Sequence, residues 1–332
     1  MAAPSELDGA RVLLAARGVT DLRPLCGGAS SLTFVGALGE QRVVVKMAPP
    51  GVPPTLHRDV LRQARIIRAL APTSVPVPEV LWEDRGEPPD VPPLFVMSFL
   101  DGTSLEPLFD DDRAGCDDTT MAERMHDAAR VMAALHRLDV TEIGLGAEPV
   151  VGSEAEIDRW CRALATVEPT LAPGWQEAAE ALRATLPIPL PAALVHGDFR
   201  LGNLLAQRDH VTAVIDWEIW SVGDPRVDAG WFLANADPRT YGRATPFLGA
   251  TPSPAELAAG YARALGRDVP DLGWFVALAC FKSAATWSLI VKHNRRRSSP
   301  DPGLEALASA VPHLVERATE TLSANEGFEV VR

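Results

Sequence analysis

The chain has 332 residues, 47% hydrophobic and 23% charged, with a formal net charge of −13. That length exceeds one small core and suits two lobes, and the balance is that of a globular protein rather than a disordered or fibrous one. The charge argues against nucleic-acid and anionic-membrane partners, which need a large basic footprint. Cys26, Cys116, Cys161 and Cys280 form no C-x-x-C pair, so neither a zinc site nor a disulfide framework is expected. The first 25 residues hold no signal-peptide run, and nowhere do about 18 apolar residues follow one another, so no membrane span is expected and a cytoplasmic location fits.

The pattern predicts an amphipathic helix near Leu7 to Ala16. Strands over Leu22 to Cys26, Ser31 to Leu38 and Gln41 to Met47 follow, the last two joined by a turn at Gly39. After the proline-rich break at Pro49 to Pro54, Leu56, Val60, Leu61, Ala64, Ile67 and Leu70 recur at helical spacing until Pro72. Glu79 to Glu83 and Leu94 to Met97 read as two more strands, completing a small antiparallel sheet. A lobe boundary near Ser98 to Gly102 divides the chain into residues 1–98 and 99–332.

Beyond it the spacing turns helical over Met121 to Leu138, Glu154 to Thr166 and Trp175 to Leu186, with three late helices. Leu194 to Val195, Asn203 to Leu205 and Val211 to Ile215 form a short β interruption. The acidic run of Asp110, Asp111, Asp112, Asp117 and Asp118 reads as a solvated loop complementing a helix N-terminus.

The chemistry sits on the β interruption. Residues 196 to 203 read His-Gly-Asp-Phe-Arg-Leu-Gly-Asn, and Asp216 ends the strand that should pair with Leu204 and Leu205 as a hairpin. Asp198, on a tight loop between strands, can orient or accept a proton from a hydroxyl. Asn203 and Asp216 offer the hard oxygen donors that Mg²⁺ shares with substrate phosphates. One carboxylate for the proton and two oxygens for a metal suit phosphoryl transfer. Gly27, Gly28, Ser30 and Ser31 lie in the first hairpin, where backbone N–H groups and hydroxyls can meet phosphate oxygens, although Gly-Gly is also an ordinary turn. Lys46 ends a strand in which Val43 and Val45 share one face and Val44 and Lys46 the other.

On His196, Asp198 and Asn203, which match H-x-D-x-x-x-x-N, and on Asp216, the chain resembles the aminoglycoside phosphotransferase and choline kinase superfamily. The resemblance implies an α+β, bilobal protein-kinase-like fold with a small antiparallel-sheet N-lobe and a mostly helical C-lobe, using ATP and Mg²⁺. It implies that Asp198 is catalytic, that Asn203 and Asp216 hold the metal, and that Lys46 binds the α and β phosphates. Arg200 would touch the transferred phosphoryl group; a surface arginine paired with a nearby acid is the alternative. His196 would pack and hydrogen-bond the catalytic loop rather than ligate a metal. Gln63 stands where the family places a glutamate partner for the lysine, with Asp59, four residues earlier, as a substitute. Phe95 to Gly102 resembles the lobe-connecting hinge, with Ser98 and Leu100 facing the adenine edge. Asp224 is expected to cap a helix that has Pro225 at its first position, and Asp228 to brace the catalytic loop.

Val214 to Glu218, Gly223-Asp224-Pro225 and Asp228 to Trp231, with Val75-Pro76-Val77-Pro78 upstream, resemble the kinase-like domains associated with acyl-CoA dehydrogenases. The resemblance covers roughly residues 20 to 295, with no dehydrogenase region attached, and implies a hydroxyacyl-CoA as the hydroxyl acceptor. The basic cluster Lys292, His293, Arg295, Arg296 and Arg297 would then receive the CoA phosphates, unless it only complements a helix C-terminus. Trp217, Trp220, Trp231 and Trp287 read as core or pocket wall. An aminoglycoside or other antibiotic acceptor, and a nucleotide-binding pseudokinase, are the alternatives.

Overall fold

The computed structural model describes residues 12–25, 31–88 and 90–324. In chain order its elements begin with β1 Val19–Pro24, β2 Leu32–Leu38, β3 Gln41–Met47, α1 Val60–Leu70, β4 Val80–Asp84 and β5 Leu94–Ser98. Then come α2 Asp118–His136, β6 Val150–Val151, α3 Ser153–Leu164, α4 Trp175–Ala184, β7 Ala193–Val195, β8 Leu204–Gln207, β9 His210–Val214 and β10 Ser221–Gly223. The chain ends with α5 Arg226–Ala236, α6 Pro238–Tyr241, α7 Pro254–Leu265, α8 Leu272–Arg295, α9 Pro302–Ala306 and α10 Val311–Ser323. The class is α+β.

Two compact units form. The first takes the described residues up to Thr103, Asn203–Gln207 and Val211–Trp220; the second takes Ser104–Gly202, Arg208–His210 and the described residues from Ser221 on. This partition differs from a single cut at residue 98, because β8 and most of β9 pack with the N-terminal sheet. Thr103 pairs with Ala206, and the Val214 N–H donates to the Pro76 carbonyl.

In the first unit an antiparallel sheet runs in the order β1-β2-β3-β5-β4. Strand alternation sends Val43, Val45 and Met47 into a core with Leu14, Phe34 and Val96; each such side chain contributes about 1.5–3 kcal/mol on burial. The expected helix from Leu56 is instead a 3₁₀ turn, Leu56–Arg58, followed by α1. Asp59 makes the break: its carboxylate accepts from the N–H groups of Leu61 and Arg62, both at 3.1 Å, and starts a new helix.

The second unit is mostly helical, around a small sheet in which β10 lies parallel to β6 and antiparallel to β7. β6 and β10, with two and three residues, are too short to show a period and were not anticipated. More than three helices follow β10. The longest, α8, has the length and apolar content of a membrane span, yet 83% of its most apolar window is buried inside the chain, so it is a core helix. Helix α5 packs closely on it: a Cβ at Gly230 would come within 2.4 Å of the Phe275 backbone. Only glycine allows that approach.

Asp224 closes the start of α5 as expected: Pro225 after it is already helical, and the Asp224 carboxylate accepts the Arg226 N–H at 3.0 Å and the Arg226 guanidinium at 2.7 Å. Arg226 is fully buried, so its charge requires that partner.

Candidate active site

In the first unit, the alternation that buries Val45 turns Lys46 to the opposite face of β3. Its ammonium donates to Gln63 Oε1 at 3.1 Å and lies 2.6 Å from Asp216 Oδ1. Gln63 is therefore the helix partner of Lys46, and Asp59 is not, because its carboxylate is spent on the α1 cap. The countercharge comes from Asp216. The amide Nε2 of Gln63 is buried with no partner among the described residues.

Asp216 follows β9 in a left-handed conformation, φ 66°, which aspartate tolerates better than most residues. The Ile215 N–H donates to the Asn203 carbonyl at 3.0 Å, so the hairpin closes beside the residue that carries the second expected oxygen donor. Asn203 itself is buried. An amide oxygen and a carboxylate are the hard donors that Mg²⁺ shares with phosphates. Among the described residues no cluster of three or more His, Cys, Asp or Glu could cage a metal alone. The donor set thus fits a cation delivered with a phosphate ligand.

Gly27, Gly28 and Ser30 lie outside the described residues; Ser31 is buried immediately before β2. The Ser98 N–H is already given to the Glu79 carbonyl at 2.8 Å, which removes it as a donor to an adenine edge. The Leu100 N–H donates to no partner among the described residues.

In the second unit, β7 leads into the loop from His196 to Gly202. His196 is fully buried, and its Nδ1 accepts from the Asp198 N–H at 3.1 Å, a structural role rather than ligation. Asp228, on α5, accepts the His196 N–H at 2.6 Å and the Gly197 N–H at 2.8 Å and pairs with His136 at 3.2 Å. Burial opposes the Asp228 charge. The bond and charge of His136, the charge of His196 and the His196 N–H outweigh it and hold the carboxyl below its ordinary range.

Asp198 Oδ1 accepts from the Trp231 indole N–H at 2.7 Å and lies 3.4 Å from Arg200 Nε. Arg200 also donates to Glu106 at 3.2 Å, and the same carboxylate oxygen accepts the Gly202 N–H at 2.9 Å. Burial pushes the Glu106 carboxyl up to about 6 despite Arg200 and Gly202. For Arg200 burial acts against the charge, but Asp198 and Glu106 raise its pKa overall, so it remains a cation.

Asp198 and Arg200 border a cavity of about 450 Å³ inside this unit, a volume usual for small-molecule sites. Glu106, Phe109, Tyr241 and Trp287 also line it. Tyr241 and Trp287 stack at 5.0 Å with 15° between planes, and Phe109 leans on Tyr241 at 4.6 Å. Trp217 and Trp220 are core residues of the first unit, whereas Trp231 and Trp287 are pocket wall.

Glu106, Phe109 and Tyr241 escaped the sequence reading, since nothing in their local spacing marks them. The acidic run is largely local: Asp117 caps α2, and Asp110 accepts the Glu106 N–H at 2.6 Å. In the basic cluster, Arg295 is occupied by Glu305 at 2.7 Å and Glu168 at 3.0 Å and is no ready phosphate receptor.

The α+β fold, the lysine on the third strand and the aspartate loop over an aromatic pocket define a kinase-like phosphotransferase. The chain belongs to the phosphotransferase enzyme family, whose model matches residues 21–275. It is 26% identical over 335 residues to mouse acyl-CoA dehydrogenase family member 10, covering 95% of this chain and 30% of that protein. It is 29% identical to the chicken family member 11, covering 80% of this chain and 36% of that protein. The chain thus spans about a third of the length of the curated relatives it matches. A solved structure described as a candidate aminoglycoside phosphotransferase from Ralstonia eutropha superposes with a TM-score of 0.75 at 23% identity, covering 96% of this chain and 98% of that one.

Proposed function

We propose that this phosphotransferase moves the terminal phosphoryl group of Mg²⁺-ATP to a hydroxyl group of a small molecule seated in the second unit's pocket, and that the acceptor is a hydroxyacyl-CoA. The observation that carries this reading is Asp198 in the wall of an aromatic cavity, its carboxylate oriented by Trp231. Asp198 would align the acceptor hydroxyl and take its proton as the bond to phosphorus forms. Arg200, kept cationic by Asp198 and Glu106, would face charge on the phosphoryl oxygens. Lys46, Gly27, Gly28, Ser30 and Ser31 would hold the nucleotide phosphates, and Leu100 would offer its N–H to the base. Asn203 and Asp216 would hold Mg²⁺, which supplies charge neutralisation at the phosphates.

The aromatic lining favours an acceptor with an apolar flank. The pocket carboxylates are engaged by protein donors: Glu106 by Arg200 and Gly202, Asp110 by Glu106 and Asp198 by Trp231. That leaves a poorer receptor for a polycation than for an acyl chain. The names of the mouse and chicken relatives point to acyl-CoA chemistry in those longer proteins.

The test is a panel of hydroxyacyl-CoAs, aminoglycosides, macrolides and amino alcohols incubated with the protein and Mg²⁺-ATP, followed by mass detection of phosphate adducts. A hydroxyacyl-CoA adduct is expected. Modification of an aminoglycoside alone would move the assignment to an antibiotic acceptor, and nucleotide binding without any adduct would make the chain a pseudokinase.

A further inference from the structure

Lys282 is a single cation in the apolar run of α8 from Phe275 to Ile290 and lies beyond the segment that the family model matches. It is 7% exposed. Its ammonium donates to the Gly197 carbonyl, immediately before Asp198, and stands 3.6 Å from the centroid of the Trp231 ring. The indole N–H of that ring holds Asp198 Oδ1. A cation on the face of an indole withdraws electron density from the ring and strengthens its N–H as a donor. The close α5–α8 approach at Gly230 allows the contact.

We propose that Lys282 is a positioning residue for Asp198: its charged ammonium fixes the Gly197 carbonyl and the Trp231 indole, and phosphoryl transfer depends on that charge. The proposal rests on the phosphotransferase reading above. Charged groups that act on Lys282 are Asp198 of the loop, Asp228 on α5, and Glu156 and Arg159 on α3. Burial outweighs the three carboxylates and lowers the ammonium pKa to about 8. The cation is present below about pH 8 and lost above it, so activity falls on the alkaline side. Stability moves the other way. Between about 8 and the ordinary lysine value of 10.5 the unfolded chain binds more protons, and folding strengthens as pH rises. A decline in rate without a decline in melting temperature separates positioning from loss of fold.

Two measurements on the full chain test this. In the first, the Trp231 indole N–H resonance, assigned by its absence in Trp231→Phe, is followed through pH. A shift with midpoint near 8 that vanishes in Lys282→Met is expected; no titration between about pH 6.5 and 10, or the same midpoint in the variant, overturns the proposal. In the second, Lys282→Met loses kcat by roughly 10- to 100-fold at neutral pH, with nucleotide KM unchanged and the alkaline limb gone. Lys282→Arg keeps most of the rate and moves the limb upward. Unaltered kcat and limb in Lys282→Met, or an unmoved limb in Lys282→Arg, overturn it. If the resonance titrates as expected but no acceptor is phosphorylated, the phosphotransferase assignment fails while the link from Lys282 to Trp231 stands.

Discussion

The two units organise their charges differently. In the first, one lysine is met by an amide and a carboxylate on the face of a sheet, and all three belong to segments whose local pattern is plain. In the second, Trp231 holds Asp198 itself, and the loop around it is held by Glu106, Asp228 and Lys282, all drawn from far along the chain. The contrast shows two ways to prepare a site. On the proposed function, Lys46 as a phosphate receptor needs a partner that can let go, whereas Asp198 as a proton acceptor needs its geometry fixed before substrate arrives.

The sharpest way to break the contrast is Asp198→Asn. Transfer is expected to fall at least 10²- to 10⁴-fold with nucleotide affinity nearly unchanged, as read by turnover and calorimetry. Lost nucleotide binding would merge the two roles. Asp216→Ala should do the reverse, weakening Mg²⁺-dependent nucleotide binding by roughly 10- to 100-fold, and titration of nucleotide with and without Mg²⁺ measures it.

Glu106→Gln probes the second unit through pH. In the parent, protonation below about 6 removes the charge that faces Arg200, so kcat/KM should decline as pH falls through that value, a limb that the glutamine variant lacks. The raised carboxyl pKa has the opposite effect on stability: between about 6 and the ordinary 4.5 the folded state binds more protons, so stability increases as pH falls. Thermal melts across the window would show that trend in the parent and its loss in the variant. The smallest effect is expected for Gln63→Leu, where one hydrogen bond to Lys46 is removed and Asp216 remains. Nucleotide affinity should fall about fivefold, the consequence of losing roughly 1 kcal/mol. A loss above a hundredfold would mean that the amide, not Asp216, sets the lysine.

Much of the first unit was legible because its information is local. The period of two over Arg42 to Lys46 places Val45 inward and Lys46 on the other face, whereas Gln63 was marked by the family resemblance and the structure brings it to the lysine. The misplacement of the α1 start has a local cause as well, since the Asp59 cap competes with apolar spacing that continues back to Leu56. The order of His196, Asp198 and Asn203 marked the loop that the second unit carries as far as Gly202, but not what grips it. Lys282 left one readable trace, a lone cation in an apolar helix. Glu106 and Tyr241 left none.

Chain order alone settled the α+β class, the elements with strong periods, and which carboxylates stand near which amides along the loop and hairpin, because those depend on spacing over a few residues. Tertiary packing decided that Asp216 rather than Asp59 answers Lys46, that Trp231 and Lys282 hold the Asp198 loop, and that Phe109, Tyr241 and Trp287 make one pocket. These contacts join residues 33 to 178 positions apart. Periodicity carries no information over such separations, and only burial of the intervening helices brings the groups within reach.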